Sequence, residues 1–213
     1  SQIPGNFRIR VGMMNPMFMP RIRDGLLKSF ENDKVFRFLH VPVQSGSNDV
    51  LNNMKRGHTV QTFIDVVKKF RAKFGSFTIS TDIIVGYPTE TCKDFEETIK
   101  LLKETRPDIV NLSRYSKRPG TDAAKMNQID AAEIKRRSKR TTDLINEISL
   151  ENNKKWIGWK GRVLFDENSD GQIKGRNFAY KPIFVNDGIE IGQSYTVKVT
   201  SVTNHSLIGE IAS

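Results

Sequence analysis

Cysteine is nearly missing from this chain: Cys92 stands alone among 213 residues. One thiol excludes an intramolecular disulfide framework and cannot by itself build a thiolate-held metal centre, and its scarcity fits a reducing, cytoplasmic setting. Cys92 opens a helical pattern, where the helix dipole favours a thiolate, but with no second cysteine or partner base it reads as incidental. Histidine is scarce too. His40, His58 and His205 have no metal-ligand spacing and read as structural, and no Ser/His/Asp set for hydrolysis is apparent. No stretch reaches the roughly 20 apolar residues of a membrane span, and no secretory signal opens the chain. Ser1–Gly5 lacks an initiator methionine and runs almost at once into a core-like strand, so a piece of a longer protein is expected.

What is present in excess is positive charge. The chain carries 34 Lys and Arg against 24 Asp and Glu, a formal charge of +10 with a sequence pI near 9.7. Without a basic amphipathic membrane helix, that balance points to a polyanionic partner, nucleic acid first.

Apolar periodicity then sets out a βα grammar. Phe7, Ile9 and Val11 alternate with Arg8 and Arg10 in a strand over 7–13, and helical spacing follows over 21–31. A second strand is expected over 35–43, a short helix over 48–54, and a helix after Thr59 with Val60, Phe63, Ile64, Val67, Phe70 and Phe74 on one face. A buried strand over 77–86 feeds the loop Gly86-Tyr87-Pro88-Thr89-Glu90, a helix over 91–103 and a strand over 108–115. Strands alternating with helices imply a parallel sheet with right-handed crossovers. Four strands cannot close a barrel, so further strands are expected upstream. Asp130 and Glu133 read as a capping box for a long helix over 131–152, with Lys135, Arg136, Arg137, Lys139 and Arg140 as a solvated face.

Beyond Trp156 come short β-rich runs over 161–165, 172–176, 181–185, 195–202 and 206–211. They are separated by Asn-Ser-Asp-Gly, Asn-Asp-Gly and Thr-Asn-His turns, the pattern of a small antiparallel barrel. A domain boundary near 153–160 follows. Basic residues here (Lys154, Lys155, Lys160, Arg162, Lys174, Arg176, Lys181) interleave with Trp156, Trp159, Phe178 and Tyr180. Cations neutralise phosphates and rings stack on unpaired bases, so the mixture suits RNA.

Three loops should meet at the carboxyl ends of the parallel strands: Gln44–Ser47, Gly86–Glu90 and Tyr115–Thr121. Their amides, hydroxyls, glycines, carboxylate and basic groups suit a zwitterionic, nucleoside-like ligand.

On these residues the chain resembles the tRNA methylthiotransferases of the radical S-adenosylmethionine superfamily. The matching motifs are Val41-Pro-Val-Gln-Ser-Gly-Ser-Asn-Asp-Val-Leu51, Met54-Lys-Arg-Gly57, Ser80-Thr-Asp-Ile-Ile-Val-Gly-Tyr-Pro-Thr-Glu-Thr91 and Tyr115-Ser-Lys-Arg-Pro-Gly-Thr121. Arg8-Ile-Arg-Val-Gly-Met-Met-Asn-Pro16 and Trp156-Ile-Gly158 look most like the archaeal and eukaryotic branch, which acts on N6-threonylcarbamoyladenosine beside the anticodon. The resemblance implies an α/β fold: residues 1–152 as the C-terminal part of a partial, TIM-like radical SAM barrel, and 153–213 as a TRAM domain, a small OB-like β-barrel that binds RNA. It implies S-adenosylmethionine and two 4Fe–4S clusters in the full-length enzyme, cleavage to a deoxyadenosyl radical, and methylthio insertion at C2 of the modified adenine. The cluster cysteines have no counterpart here, so the isolated chain should be inactive. Arg8, Arg10, Gln44, Ser45, Asp82 and Gly86 are then expected near the cofactor, Arg56, Tyr115 and Arg118 at the pocket rim, and Lys160, Arg162, Lys174, Arg176 and Lys181 on the anticodon arm of tRNA. Two departures stand out: Tyr87 where the family has Phe, and Lys117 and Asp122 where it often has proline, which loosens the loop around Arg118. A sister family that methylthiolates a ribosomal-protein aspartate and a non-catalytic RNA-binding module are the competing readings.

Overall fold

Three parallel strands, β1 (Phe38–His40), β2 (Thr78–Val85) and β3 (Ile109–Arg114), form a sheet in the order β1-β2-β3. The computed structural model describes residues 3–5, 7–169, 172–186 and 189–212. Ser1 and Gln2 of the opening stretch, and Asp170, Gly171, Asp187 and Gly188 of two expected barrel turns, lie outside them. Before β1 come a single 3-10 turn, Pro16–Phe18, and α1 (Met19–Ser29). Helices α2 (Asn48–Asn53) and α3 (Val60–Phe74) connect β1 to β2, and α4 (Cys92–Thr105) connects β2 to β3.

The strand expected over 7–13 is not a full ladder. It touches its neighbour through isolated parallel bridges, Ile9 to Val35 and Met13 to His40. With Asn15-Pro16 ending the segment, regular pairing has little length in which to develop. The strand expected over 35–43 is likewise regular for only three residues.

Alternation in β2 divides the sheet faces. Ile79, Ile83 and Val85 are at most 1% exposed and join Phe63, Val67, Phe70, Phe95, Ile99 and Leu102 in one core. Each such side chain contributes roughly 1.5–3 kcal/mol on burial. Phe30, Phe70, Phe74 and Phe77 close its lower end, with ring centroids 5.1–6.5 Å apart. Thr59 caps α3 by accepting from the Thr62 amide. Thr91 and Asp94 make a reciprocal capping box on α4.

Helix α5 (Ala131–Lys154) packs along β3 and leads into the second body. Asp130 caps it through the Ala132 and Glu133 amides, but Glu133 does not complete the expected box; its carboxylate is taken by Arg136 and Arg137. Strands β4 (Lys160–Ser169), β5 (Gln172–Arg176), β6 (Pro182–Val185), β7 (Ser194–Val202) and β8 (Leu207–Ile211) form a closed barrel in the order β4-β5-β6-β8-β7. The expected antiparallel pattern holds except at the β6–β8 seam, which is parallel. Val163, Phe165, Ile183, Val197 and Leu207 fill its core.

Candidate functional site

The other face of the sheet opens at the carboxyl ends of the strands into a cavity of about 660 Å³. Its lining includes His40, Gln44, Arg56, Asp82, Tyr87, Asn111, Tyr115 and Arg118. Register puts Asp82 beside Asn111, and alternation points the polar members of β1, β2 and β3 the same way. Asp82 Oδ1 is held by Asn111 Nδ2 at 2.8 Å and lies 2.7 Å from His40 Nε2. No described residue bonds Oδ2, so the carboxylate is oriented with one acceptor in hand.

Gln44 has φ +75°, a left-handed backbone uncommon outside glycine. Two main-chain bonds hold it there: its N–H donates to the Asp82 carbonyl at 2.8 Å and its carbonyl accepts from the Ile84 amide at 2.9 Å. Arg56 Nε and Tyr115 Oη are both buried without a partner, and both residues line the cavity. Unmet buried donors on the wall of an open cavity favour a polar ligand there. Tyr87 packs edge-on to Tyr115, with ring centroids 5.5 Å apart, and donates to the Asn53 carbonyl. Burial, then the neighbouring Tyr115, pushes its phenol above the ordinary tyrosine value, so it stays protonated.

Five of the residues expected at this site, Gln44, Asp82, Arg56, Tyr115 and Arg118, therefore meet around one cavity. The turn carrying Arg118 is closed without the extra prolines, by the Thr121 hydroxyl donating to the Arg118 carbonyl at 2.9 Å. Asp122 adds an exposed ion pair to Lys55 across the rim.

Four expected cofactor residues lie elsewhere. Ser45 is fully buried against α4, 3.4 Å from the Thr98 hydroxyl, while a Cβ on neighbouring Gly46 would come within 2.4 Å of the Thr98 backbone. Gly86, at φ +81°, faces α5: its added Cβ would meet Ile134 at 2.7 Å, and its N–H donates to Glu90. Both glycines admit a helix rather than a ligand. Arg8 reaches the Asp33 carbonyl. Arg10 stacks over Phe38 and Tyr180, at 4.7 and 5.2 Å, rather than entering the cavity.

His40 and Asn111 are functional candidates that the sequence reading missed. Strand alternation places both on the same face as Asp82, which the family resemblance had singled out, but His40 without metal spacing looked structural and Asn111 belongs to no quoted motif. The basic face expected on α5 also needs correction at Arg137. It is 3% exposed and bonds Glu90 Oε2 at 2.7 Å, clamping the β2–α4 loop to the helix. Burial pushes the Glu90 carboxyl up, opposed by the Gly86 amide and the Arg137 guanidinium.

On the barrel, Lys160 and Arg162 are exposed. Lys174 pairs with Glu167, and Arg176 lies 4.5 Å from the Tyr180 ring. Lys181, expected on the RNA, is instead placed inside: it is 3% exposed, with Nζ 3.0 Å from both Asp108 Oδ1 and Asn153 Oδ1. The β5–β6 connection is instead a dock, since Phe178 also accepts the Arg37 amide and Tyr180 packs on Phe36 and Phe38. This closes the amino-terminal end of the sheet's polar face and leaves the carboxyl end open.

Residues 3–102 match the radical SAM superfamily and residues 152–212 match the TRAM domain. The chain is 46% identical to a probable threonylcarbamoyladenosine tRNA methylthiotransferase of Archaeoglobus fulgidus, over all of this chain and 50% of the relative. It is 39% identical to the threonylcarbamoyladenosine tRNA methylthiotransferase of Drosophila melanogaster, over 98% of this chain and 38% of the relative. A Thermosipho melanesiensis protein named ribosomal protein uS12 methylthiotransferase RimO is 34% identical over 99% and 50%. The chain spans about half the length of the curated relatives it matches.

Proposed function

The chain joins a radical SAM segment to a TRAM domain, and on that premise we propose that it is the corresponding portion of a tRNA methylthiotransferase. The reaction is methylthio insertion at C2 of N6-threonylcarbamoyladenosine, beside the anticodon. The observation that carries this reading is the 46% identity, sustained over the whole chain, to a protein named for that activity. Residues 1–152 serve as part of the radical SAM barrel and 153–213 as the TRAM domain, in a cytoplasmic enzyme. No helix among the described residues is long and apolar enough to cross a membrane.

The cavity fits S-adenosylmethionine in its donor set. Arg56 and Tyr115 offer unpartnered donors and Asp82 a free acceptor oxygen, the complement of a ligand with a carboxylate, an ammonium and a ribose. Gln44, Arg56, Asp82 and Tyr115 would hold it, and when bound beside a reduced cluster it supplies the radical chemistry. The protein's share is orientation: His40 and Asn111 fix Asp82, main-chain bonds fix Gln44, and Tyr87 with Tyr115 walls the site from water. An iron–sulfur cluster does not fit this chain's own residues. Cys92 is its only cysteine, and it sits at the start of α4 near Arg137, away from the cavity lining. The thiolates come from outside these 213 residues, and the isolated chain is inactive. Lys160, Arg162, Lys174 and Arg176 remain the RNA-facing candidates.

Incubating the intact enzyme with threonylcarbamoyladenosine-containing tRNA, and separately with a peptide bearing the ribosomal aspartate, separates the two methylthiotransferase readings. Mass spectrometry should find the methylthio adduct on the tRNA alone. An adduct on the peptide alone would transfer the chain to the activity named for its 34%-identical relative.

A further inference from the structure

A second groove, of about 310 Å³, lies at the seam between the half-barrel and the TRAM barrel. Three arginines line it: Arg8 from the opening segment, Arg162 from β4 and Arg176 from β5. Trp159 and Phe178 supply its apolar wall and Ser194 a hydroxyl, and no aspartate or glutamate is among its lining residues. Arg8 is tethered to the Asp33 carbonyl and Arg176 is stacked on Tyr180, so two guanidiniums are held in place. Arg162 is paired through its backbone in the β4–β7 ladder, but its guanidinium makes no hydrogen bond or ion pair with any described residue.

Asn177, also in the lining, is 1% exposed. Its Oδ1 accepts from the amides of Ala179 and Lys181, each at 3.0 Å. Two backbone donors on one oxygen settle which way the side-chain amide points. They leave Nδ2 buried with no acceptor, an unfavourable condition unless something supplies one. Three cations and an unsatisfied donor, with no carboxylate among them, call for an anion with several acceptor oxygens.

We infer that the groove is a phosphate site for RNA, holding a backbone phosphodiester between Arg8, Arg162, Arg176 and the Asn177 amide, with Trp159 beside it for a base. The site deepens the tRNA reading above and rests on it. Because Arg8 comes from the half-barrel and the other groups from the TRAM barrel, the grip exists only while the two are docked. RNA held there is fixed relative to the cavity as well as to the barrel.

The test is fluorescence anisotropy of a labelled anticodon stem–loop RNA with the whole chain, from 50 to 200 mM salt. Arg162→Gln should weaken binding about 3- to 10-fold and flatten the log–log salt slope by about 0.7–0.9, the share of one phosphate contact. Asn177→Asp keeps the oxygen that Ala179 and Lys181 need but replaces the donor with a carboxylate, and should weaken binding at least about 10-fold. Lys135→Gln, which removes one charge from α5 outside the groove, should bind within about 2-fold of the parent. If Arg162→Gln and Asn177→Asp keep the parent's affinity and slope, or Lys135→Gln loses as much as Arg162→Gln, the site is wrong while RNA binding stands. If the parent chain itself does not bind at 50 mM salt, the RNA reading fails and takes the site with it.

Discussion

Both carboxylate oxygens of Asp94 accept hydrogen bonds, Oδ1 from Ser47 Oγ at 2.5 Å, and Oδ2 from the Thr91 amide at 2.8 Å and hydroxyl at 2.6 Å. Burial alone would raise its pKa, but these bonds, Ser47's first, outweigh it and hold the group below the usual aspartate value. A depressed acid stabilises the fold above the unfolded pKa of about 4, and that contribution is lost as pH falls through the lower folded value. Asp94→Asn should therefore cost roughly 1–2 kcal/mol at pH 7. The gap from the parent should narrow as denaturation is repeated from pH 7 toward pH 3 and below, and a gap constant over that range would remove the carboxylate's contribution from the account. Legibility at this scale was uneven for a physical reason. Asp82, Ser45 and Gly86 all came from the family motifs; Asp82 does line the cavity, whereas Ser45 and Gly86 face helices, because sequence does not say whether a small residue admits a cofactor or a helix. The capping box expected at Asp130–Glu133 failed because two arginines compete for Glu133, holding its carboxyl at about 2.

Helices were legible almost to the residue, since their apolar stripes and caps are local signals: the helix expected after Thr59 is α3, and the one over 91–103 is α4. Strands were less so. Pairing is non-local, and neither the bridged segment around Ile9 and Met13 nor the three-residue β1 can be told from a longer ladder by alternation alone. The β5–β6 connection was the hardest segment to place, because basic and aromatic residues that attract RNA on a surface are equally suited to a buried interface. Lys181 there ties the barrel to Asp108 and Asn153, and Asn153 Nδ2 donates in turn to the Thr203 carbonyl. Lys181→Met keeps the stem but removes the cation from Asp108 Oδ1 and Asn153 Oδ1, while Asp108 Oδ2 keeps the Ile79 amide and Arg71, and should cost about 1–3 kcal/mol by urea unfolding. The salt dependence of RNA binding by the folded protein should not change. Unaltered stability together with a flatter salt slope would return Lys181 to the RNA surface.

Across the whole molecule, the two bodies divide the labour. The parallel sheet presents an oriented polar cavity at the open end of its strands, and the five-stranded barrel plugs the opposite end while displaying Lys160 and Arg162. On the proposed function, the +10 charge would supply long-range attraction for tRNA but no address, which would come from where the cavity sits relative to the basic barrel. The parallel sheet and small barrel were readable from the change in sequence grammar after Trp156, while the parallel β6–β8 seam was not, since closure of a barrel leaves no local mark. The central claim is the chemistry on tRNA. The most direct measurement is mass spectrometry of tRNA nucleosides from cells with and without the full-length gene. The account predicts that 2-methylthio-N6-threonylcarbamoyladenosine disappears on deletion and its unthiolated precursor accumulates; an unchanged nucleoside profile would contradict it.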